Sequence, residues 1–147
     1  MPRPWGATAL LLLLAMASMQ GVVGQANGPD FYKISTKEEI KQSAKDLAWH
    51  VMTLYPGNKT GSEVGIFPGP PSEHKGPYHW WQAGAVWGAM IDYWHYTGDD
   101  TYNTLVSDGI IAQIGEDQDF EPRRHRASLG NDDQGFWGMT AMLAAEN

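Results

Sequence analysis

Two consecutive carboxylates, Asp132 and Asp133, stand between a glycine and two aromatic rings in Ser128-Leu129-Gly130-Asn131-Asp132-Asp133-Gln134-Gly135-Phe136-Trp137. Paired carboxyl groups can divide the roles of acid and nucleophile, which is the chemistry of glycoside cleavage. The groups stand about 5–5.5 Å apart in retaining enzymes and about 6.5–9.5 Å apart in inverting ones. Neighbouring residues at a bent helix start reach the shorter separation more readily. Gly130 breaks the preceding segment, Asn131 suits an N-cap, and Phe136, Met139, Thr140, Met142 and Leu143 follow at helical spacing. The spacing therefore predicts a helix from Asp132 with both aspartates in its first turn. There they lie about 100° apart around the axis, with backbone positions about 3.8 Å apart. A helix N-terminus stabilises one ionised carboxylate, as a nucleophile requires. A second carboxylate alongside does not readily ionise too, and burial against Phe136 or Trp137 would keep it protonated. A plainer reading uses the same residues: Asn-Asp-Asp at a helix start is also ordinary capping chemistry.

Three further helices are expected to position this stretch. The first begins at Ser35 or Thr36, where Ser35-Thr36-Lys37-Glu38 and Thr36-Lys37-Glu38-Glu39 both fit a capping box. Ile40, Ala44, Leu47, Ala48, Val51, Leu54 and Tyr55 follow at helical spacing, and Pro56-Gly57 ends the run. Residues 57–77 are rich in Gly and Pro, so no regular element is expected there. The second helix carries Trp80, Ala83, Trp87, Met90, Ile91 and Trp94 on one face, with Gly84 and Gly88 open to a close neighbour and Gly98 as C-cap. Trp87 and Trp94 read as core. Tyr78, Trp80 and Trp81 stand at the helix entrance after a loop, where aromatic rings can stack on sugar faces. Asp99 or Asp100 is expected to cap a third helix bearing Tyr102, Leu105, Val106, Ile110, Ile111 and Ile114. Residues 116–129 are charged and irregular, and Arg123-Arg124-His125-Arg126 reads as a solvated loop among acidic neighbours.

Other site chemistries find little footing. The 147 residues carry a formal charge of −7 and no cysteine. Nucleic-acid binding, thiolate chemistry and disulfides are thus not expected. The five histidines form no zinc motif, and neither a phosphate loop nor an EF-hand pattern occurs, so no metal or cofactor is expected. Residues 1–24 read as a secretory signal peptide: Arg3 supplies the positive start, residues 7–17 an apolar core too short to span a bilayer, and Val22-Val23-Gly24 a cleavage site. An uncleaved anchor is the alternative. Asn58-Lys59-Thr60 is an N-glycosylation sequon, placing Asn58 as an acceptor in an exported chain. The expected location is the secretory pathway and then the cell wall or the outer face of the plasma membrane.

Gly130-Asn131-Asp132-Asp133-Gln134-Gly135-Phe136-Trp137, with Tyr78-His79-Trp80-Trp81-Gln82-Ala83-Gly84-Ala85 and Asp92-Tyr93-Trp94-His95-Tyr96-Thr97-Gly98-Asp99, resembles glycoside hydrolase family 76, the endo-1,6-α-mannanases, in its fungal branch. The motifs occur in the family's order from about Ile40 onward. The resemblance implies an all-α fold, with residues 25–147 as the N-terminal part of an (α/α)6 barrel whose remaining helices are not in this chain. It implies Asp132 as nucleophile and Asp133 as acid/base, with Asn131 and Gln134 holding the pair or touching sugar. It also implies that Tyr78, Trp80, Trp81 and Gln82 line subsites. The implied substrate is α-1,6-linked mannan, or the mannose core of a GPI-type glycan, cleaved by hydrolysis or transferred to an acceptor. Wall or membrane attachment would use a region outside this chain. A second reading is a catalytically inactive, secreted mannan-binding fragment, and a third treats the aromatics as core and the aspartates as caps.

Overall fold

Helix α1, Lys37–Leu54, begins where the Thr36 hydroxyl accepts the Glu39 amide at 3.1 Å. The Glu39 carboxylate bonds back to the Ser35 amide at 3.2 Å, so the expected Thr36 box forms with its return arm one residue early. The structure is a computed structural model that describes residues 32–57, 59–70 and 75–147. The leader expected at 1–24 and the acceptor Asn58 lie outside the described residues. Lys33–Asn147 clusters as one unit.

The architecture is all-α, with no strand among the described residues. Helix α2, Trp80–Thr97, sits at the centre, and α1, α3 (Asn103–Gln113) and α4 (Asn131–Glu146) all pack on it. Its expected apolar face is the buried one: Trp80, Ala83, Trp87, Met90 and Ile91 are all in the core. Gly98 closes α2 in the left-handed conformation, φ 79°, with its amide on the Trp94 carbonyl at 2.8 Å. Gly84 and Gly88 make room for α4. A Cβ on Gly84 would stand 3.0 Å from the Trp137 ring, and one on Gly88 would stand 2.9 Å from the Thr140 hydroxyl. That hydroxyl donates to the Gly84 carbonyl at 2.7 Å. The packed face of α4 is therefore Trp137 and Thr140, whereas Met139 and Met142 from the expected stripe are exposed.

The described residues of the Gly/Pro-rich loop after α1 form no regular element, as expected, yet they are pinned. Ile66 and Phe67 are buried. The Trp87 indole donates to the Gly65 carbonyl at 2.9 Å, and the Gly65 amide donates to the Tyr55 hydroxyl at 2.8 Å. Tyr55 meets Trp87 edge-on at 5.0 Å. Not all of the α1 stripe is covered, because Ile40, Leu47 and Leu54 remain exposed. Ile40, Leu47, Val51, Val86, Met90 and Tyr96 line an apolar groove of about 570 Å³ between α1 and α2. No helix among the described residues is long and apolar enough to cross a membrane.

Helix α3 starts later than an Asp99 or Asp100 cap would place it, with Tyr102 at the N-cap. Asp99 instead closes the turn before it. One oxygen accepts the Thr101 amide at 3.1 Å and the Thr101 hydroxyl, and the other accepts the Tyr93 hydroxyl at 2.6 Å. The Thr101 and Tyr93 bonds, with Lys45 at 3.6 Å, hold the Asp99 carboxyl well below its ordinary value of 3.8. A depressed folded-state value means that the contribution is complete above about pH 4 and is lost as pH falls below that point. Asp99→Ala is accordingly expected to cost about 1–2 kcal/mol at pH 7. Urea titrations of both proteins should show the gap narrowing steadily below pH 4; a pH-independent gap would rule out the carboxylate as its source.

Candidate functional site

The carboxylate turn lies where α4 begins. Its N-cap is Gly130, in extended conformation, and the helix starts at Asn131. Asn131 is thus the first helical residue and not the expected cap. The reason is Asp133, whose carboxylate accepts the Gly130 amide at 2.7 Å and so supplies the cap from within the helix. The capping reading holds for Asp133 alone. Asp132 is exposed, and among the described residues its carboxylate has no hydrogen bond or ion pair.

Both carboxylates lean over the same glycine. A Cβ built on Gly130 would stand 2.6 Å from Asp132 Oδ1 and 3.4 Å from Asp133 Oδ2. These oxygens are therefore within about 6 Å of each other, short of the about 6.5–9.5 Å of an inverting pair. A side chain at residue 130 would enter that space. Gly130→Ala should push Asp132 aside, since its flexible carboxylate yields more readily than the backbone. The expected result is a loss of about 10- to 100-fold in turnover with melting temperature nearly unchanged. Unaltered turnover would mean that the position of Asp132 does not matter to the site.

The N-terminal ends of α2 and α4 meet through four aromatic rings. Trp81 and Phe136 pack with centroids 4.7 Å apart and planes tilted by 32°, and both are half-buried. Phe136 follows Asp133 by less than one turn, so this pair flanks the carboxylates. Trp80 and Trp137 form the pair beneath, 5.0 Å apart. The Trp137 indole donates to the Trp80 carbonyl at 3.2 Å, and the Trp80 indole donates to Gln113 Oε1 at 2.9 Å. Trp80 is 1% exposed. It offers no ring face to a sugar, and its expected place in a subsite is corrected to the core. Tyr78 is half-buried edge-on against Phe67 at 5.9 Å, with its amide on the Pro68 carbonyl at 3.2 Å. Gln82 Oε1 accepts the His79 amide at 2.6 Å and so caps the entrance of α2. Gln134 donates to the Asp119 carbonyl at 2.5 Å, which ties the carboxylate turn to the preceding loop.

That loop is more ordered than its charge suggests. Phe120 adopts a left-handed conformation, φ 57°, and stacks on Trp137 at 6.1 Å. Arg126 bridges Asp117 at 3.1 Å, Asp119 at 3.3 Å and Glu121 at 3.2 Å, while Arg124 reaches Glu63 at 2.8 Å. The three arginines are exposed, as the solvated-loop expectation has it, but His125 is 5% exposed and departs from it. Nothing in the local pattern singles out Glu63 or Gln113, because their partners are far along the chain. Among the described residues no three His, Asp or Glu side chains converge as metal ligands. The apolar groove between α1 and α2 contains none of the candidate site residues, and its lining suits a helix better than a sugar.

The family model for glycosyl hydrolase family 76 matches residues 39–147. The chain belongs to that family. Mannan endo-1,6-alpha-mannosidase DCW1 of Saccharomyces cerevisiae is 41% identical over 74% of this chain and 23% of its own length. The protein of the same name from Candida glabrata is 36% identical over 92% of this chain and 28% of its own. The crystal structure of Dfg5 from Chaetomium thermophilum in complex with glucosamine matches with a TM-score of 0.74 and 58% identity, over 79% of this chain and 28% of that one. The chain thus spans roughly a quarter of the length of these family 76 relatives. Its helices are part of an α/α barrel.

Proposed function

We propose that this chain carries the catalytic carboxylates of a retaining endo-α-1,6-mannosidase. The observation that carries the reading is Asp132, without a partner among the described residues, beside the capping Asp133, with oxygens within about 6 Å of each other. Asp132 attacks the anomeric carbon and forms a glycosyl ester as the glycosidic bond breaks. Asp133 gives its proton to the departing oxygen, so the leaving sugar is released as a neutral alcohol. Its Oδ2 is fixed by the Gly130 amide, which leaves Oδ1 to carry that proton. In the second step Asp133, now a base, takes a proton from water, and the resulting oxygen nucleophile cleaves the ester and frees Asp132. A sugar hydroxyl in place of water gives transfer instead of hydrolysis. Trp81 and Phe136 offer apolar faces for a mannose ring next to the pair. Asn131, exposed in the same turn, is a polar contact for substrate, while Gln134 holds the turn through Asp119.

The substrate is α-1,6-linked mannose, in wall mannan or in the core of a GPI-type glycan. The names of the yeast relatives support the linkage. The glucosamine bound by the Chaetomium thermophilum relative supports the second source, where mannose is joined to glucosamine. Secretion to the wall or the outer membrane face after removal of residues 1–24, and glycosylation at Asn58, belong to the same reading. The test is titration of the chain with α-1,6-mannobiose and longer homologues, following both bond cleavage and amide NMR signals. Cleavage with shifts at residues 131–136 and Trp81 is the expected result. Binding there without cleavage would favour the mannan-binding reading, which rests on the Trp81–Phe136 pair. Absence of both would end the assignment.

A further inference from the structure

Glu63 lies on the loop between α1 and α2, distant in sequence from the carboxylate pair. One oxygen of its side chain, Oε1, meets three donors: His125 Nε2 at 2.6 Å, Arg124 at 2.8 Å and Gln113 Nε2 at 3.2 Å. Gln113 is 0% exposed and His125 is 5% exposed, so water cannot readily replace the carboxylate. Two routes run from this oxygen to the start of α4. Along the first, Gln113 holds the Trp80 indole, the Trp80 carbonyl holds the Trp137 indole, and Trp137 is one turn beyond Asp133. Along the second, His125 anchors the 3-10 turn Arg126–Ser128, whose Ser128 hydroxyl bonds back to the His125 carbonyl at 2.8 Å. Leu129 and Gly130 follow directly, and the Gly130 amide is the donor held by Asp133.

We propose that Glu63 is a positioning residue for the Asp132–Asp133 turn, through its hold on Gln113 and His125. The inference deepens the mannosidase reading, since it names what aims that pair, but its contacts stand without any substrate. Charge-assisted bonds to a carboxylate are shorter and about twice as strong as neutral ones. A neutral amide at this position keeps the shape and weakens all three bonds together. The His125 route then relaxes most, since Gln113 Nε2 keeps its bond to the Val64 carbonyl at 2.7 Å, and the turn that carries the carboxylates shifts.

The test is amide and indole NMR of the whole chain carrying Glu63→Gln, with His125→Ala and His125→Gln as the second pair. Glutamine can place an amide donor where His125 Nε2 stands. Glu63→Gln is expected to move the Trp80 and Trp137 indole signals and the Gly130 and Asp133 amides. The Thr101 amide, held by Asp99 at the far end of α2, should stay in place and serves as the control. His125→Ala should move Gly130 and Asp133, and His125→Gln should return them toward wild type. Shifts that stop at Trp80, with Gly130 and Asp133 unmoved, would overturn the proposal and leave Glu63 a local tie. If Glu63→Gln fails to fold, the His125 pair decides the matter in the same way: Gly130 and Asp133 either move and recover, or stay unmoved. Where the wild-type chain cleaves mannan, Glu63→Gln should lower kcat about 10- to 100-fold with KM unchanged; a change in KM alone would contradict it. Failure of the wild type to cleave counts against the mannosidase reading and does not alter the NMR result.

Discussion

Asp132→Asn is expected to lower cleavage of α-1,6-mannan by roughly 10⁴-fold or more, and Asp133→Asn by about 10²–10⁴-fold. The two losses differ in kind. Without Asp132 no glycosyl ester forms, whatever the leaving group. Without Asp133 the ester still forms when the leaving group needs no proton, so an aryl α-mannoside should recover the first step in Asp133→Asn alone. Neither change should unfold the chain. Asp132 has no partner among the described residues, and an asparagine at 133 keeps an oxygen for the Gly130 amide. Rates on mannan and on the aryl mannoside, measured beside melting temperatures, check this directly. Wild-type turnover by either variant would remove that residue from the chemistry.

The largest expected effect on stability is at Trp137. Its ring is 0% exposed, packs on Trp80 and Phe120, and fits against Gly84. Trp137→Ala leaves a cavity at the contact of α2 with α4, at an expected cost of about 3–5 kcal/mol. Met139→Ala, two residues on but exposed, should stay within about 0.5 kcal/mol of wild type. Urea unfolding of the two variants compares them. Equal small losses would mean that α4 is not held by Trp137.

Local signals made much of this legible before the structure. Thr36 and Glu39 do form a cap, Gly98 does end α2, and the Trp80–Ala83–Trp87–Met90–Ile91 face is the buried one. Each depends on neighbours within a turn or two. Trp80 shows where that legibility ends. Its place in the apolar stripe pointed to the core, and its place after a loop pointed to a cleft. Trp137, on a helix far along the chain, decides between them by stacking on Trp80 and leaving Trp81 to Phe136. Asp99 likewise looked like a helix cap because its type suits one, but Tyr93 and Lys45 hold it in the preceding turn. The Glu63 cluster had no local signature at all, since a half-buried carboxylate reads like a surface one until its donors arrive from α3 and the loop before α4.

The most direct measurement of the central claim is mass spectrometry of the chain after reaction with a fluorinated α-mannosyl fluoride, which slows breakdown of the glycosyl ester. The account predicts one added mannosyl group, carried by Asp132 in the peptide that spans residues 128–137 and lost in Asp132→Asn. A label on any other residue, or no label on the wild-type chain, would contradict it.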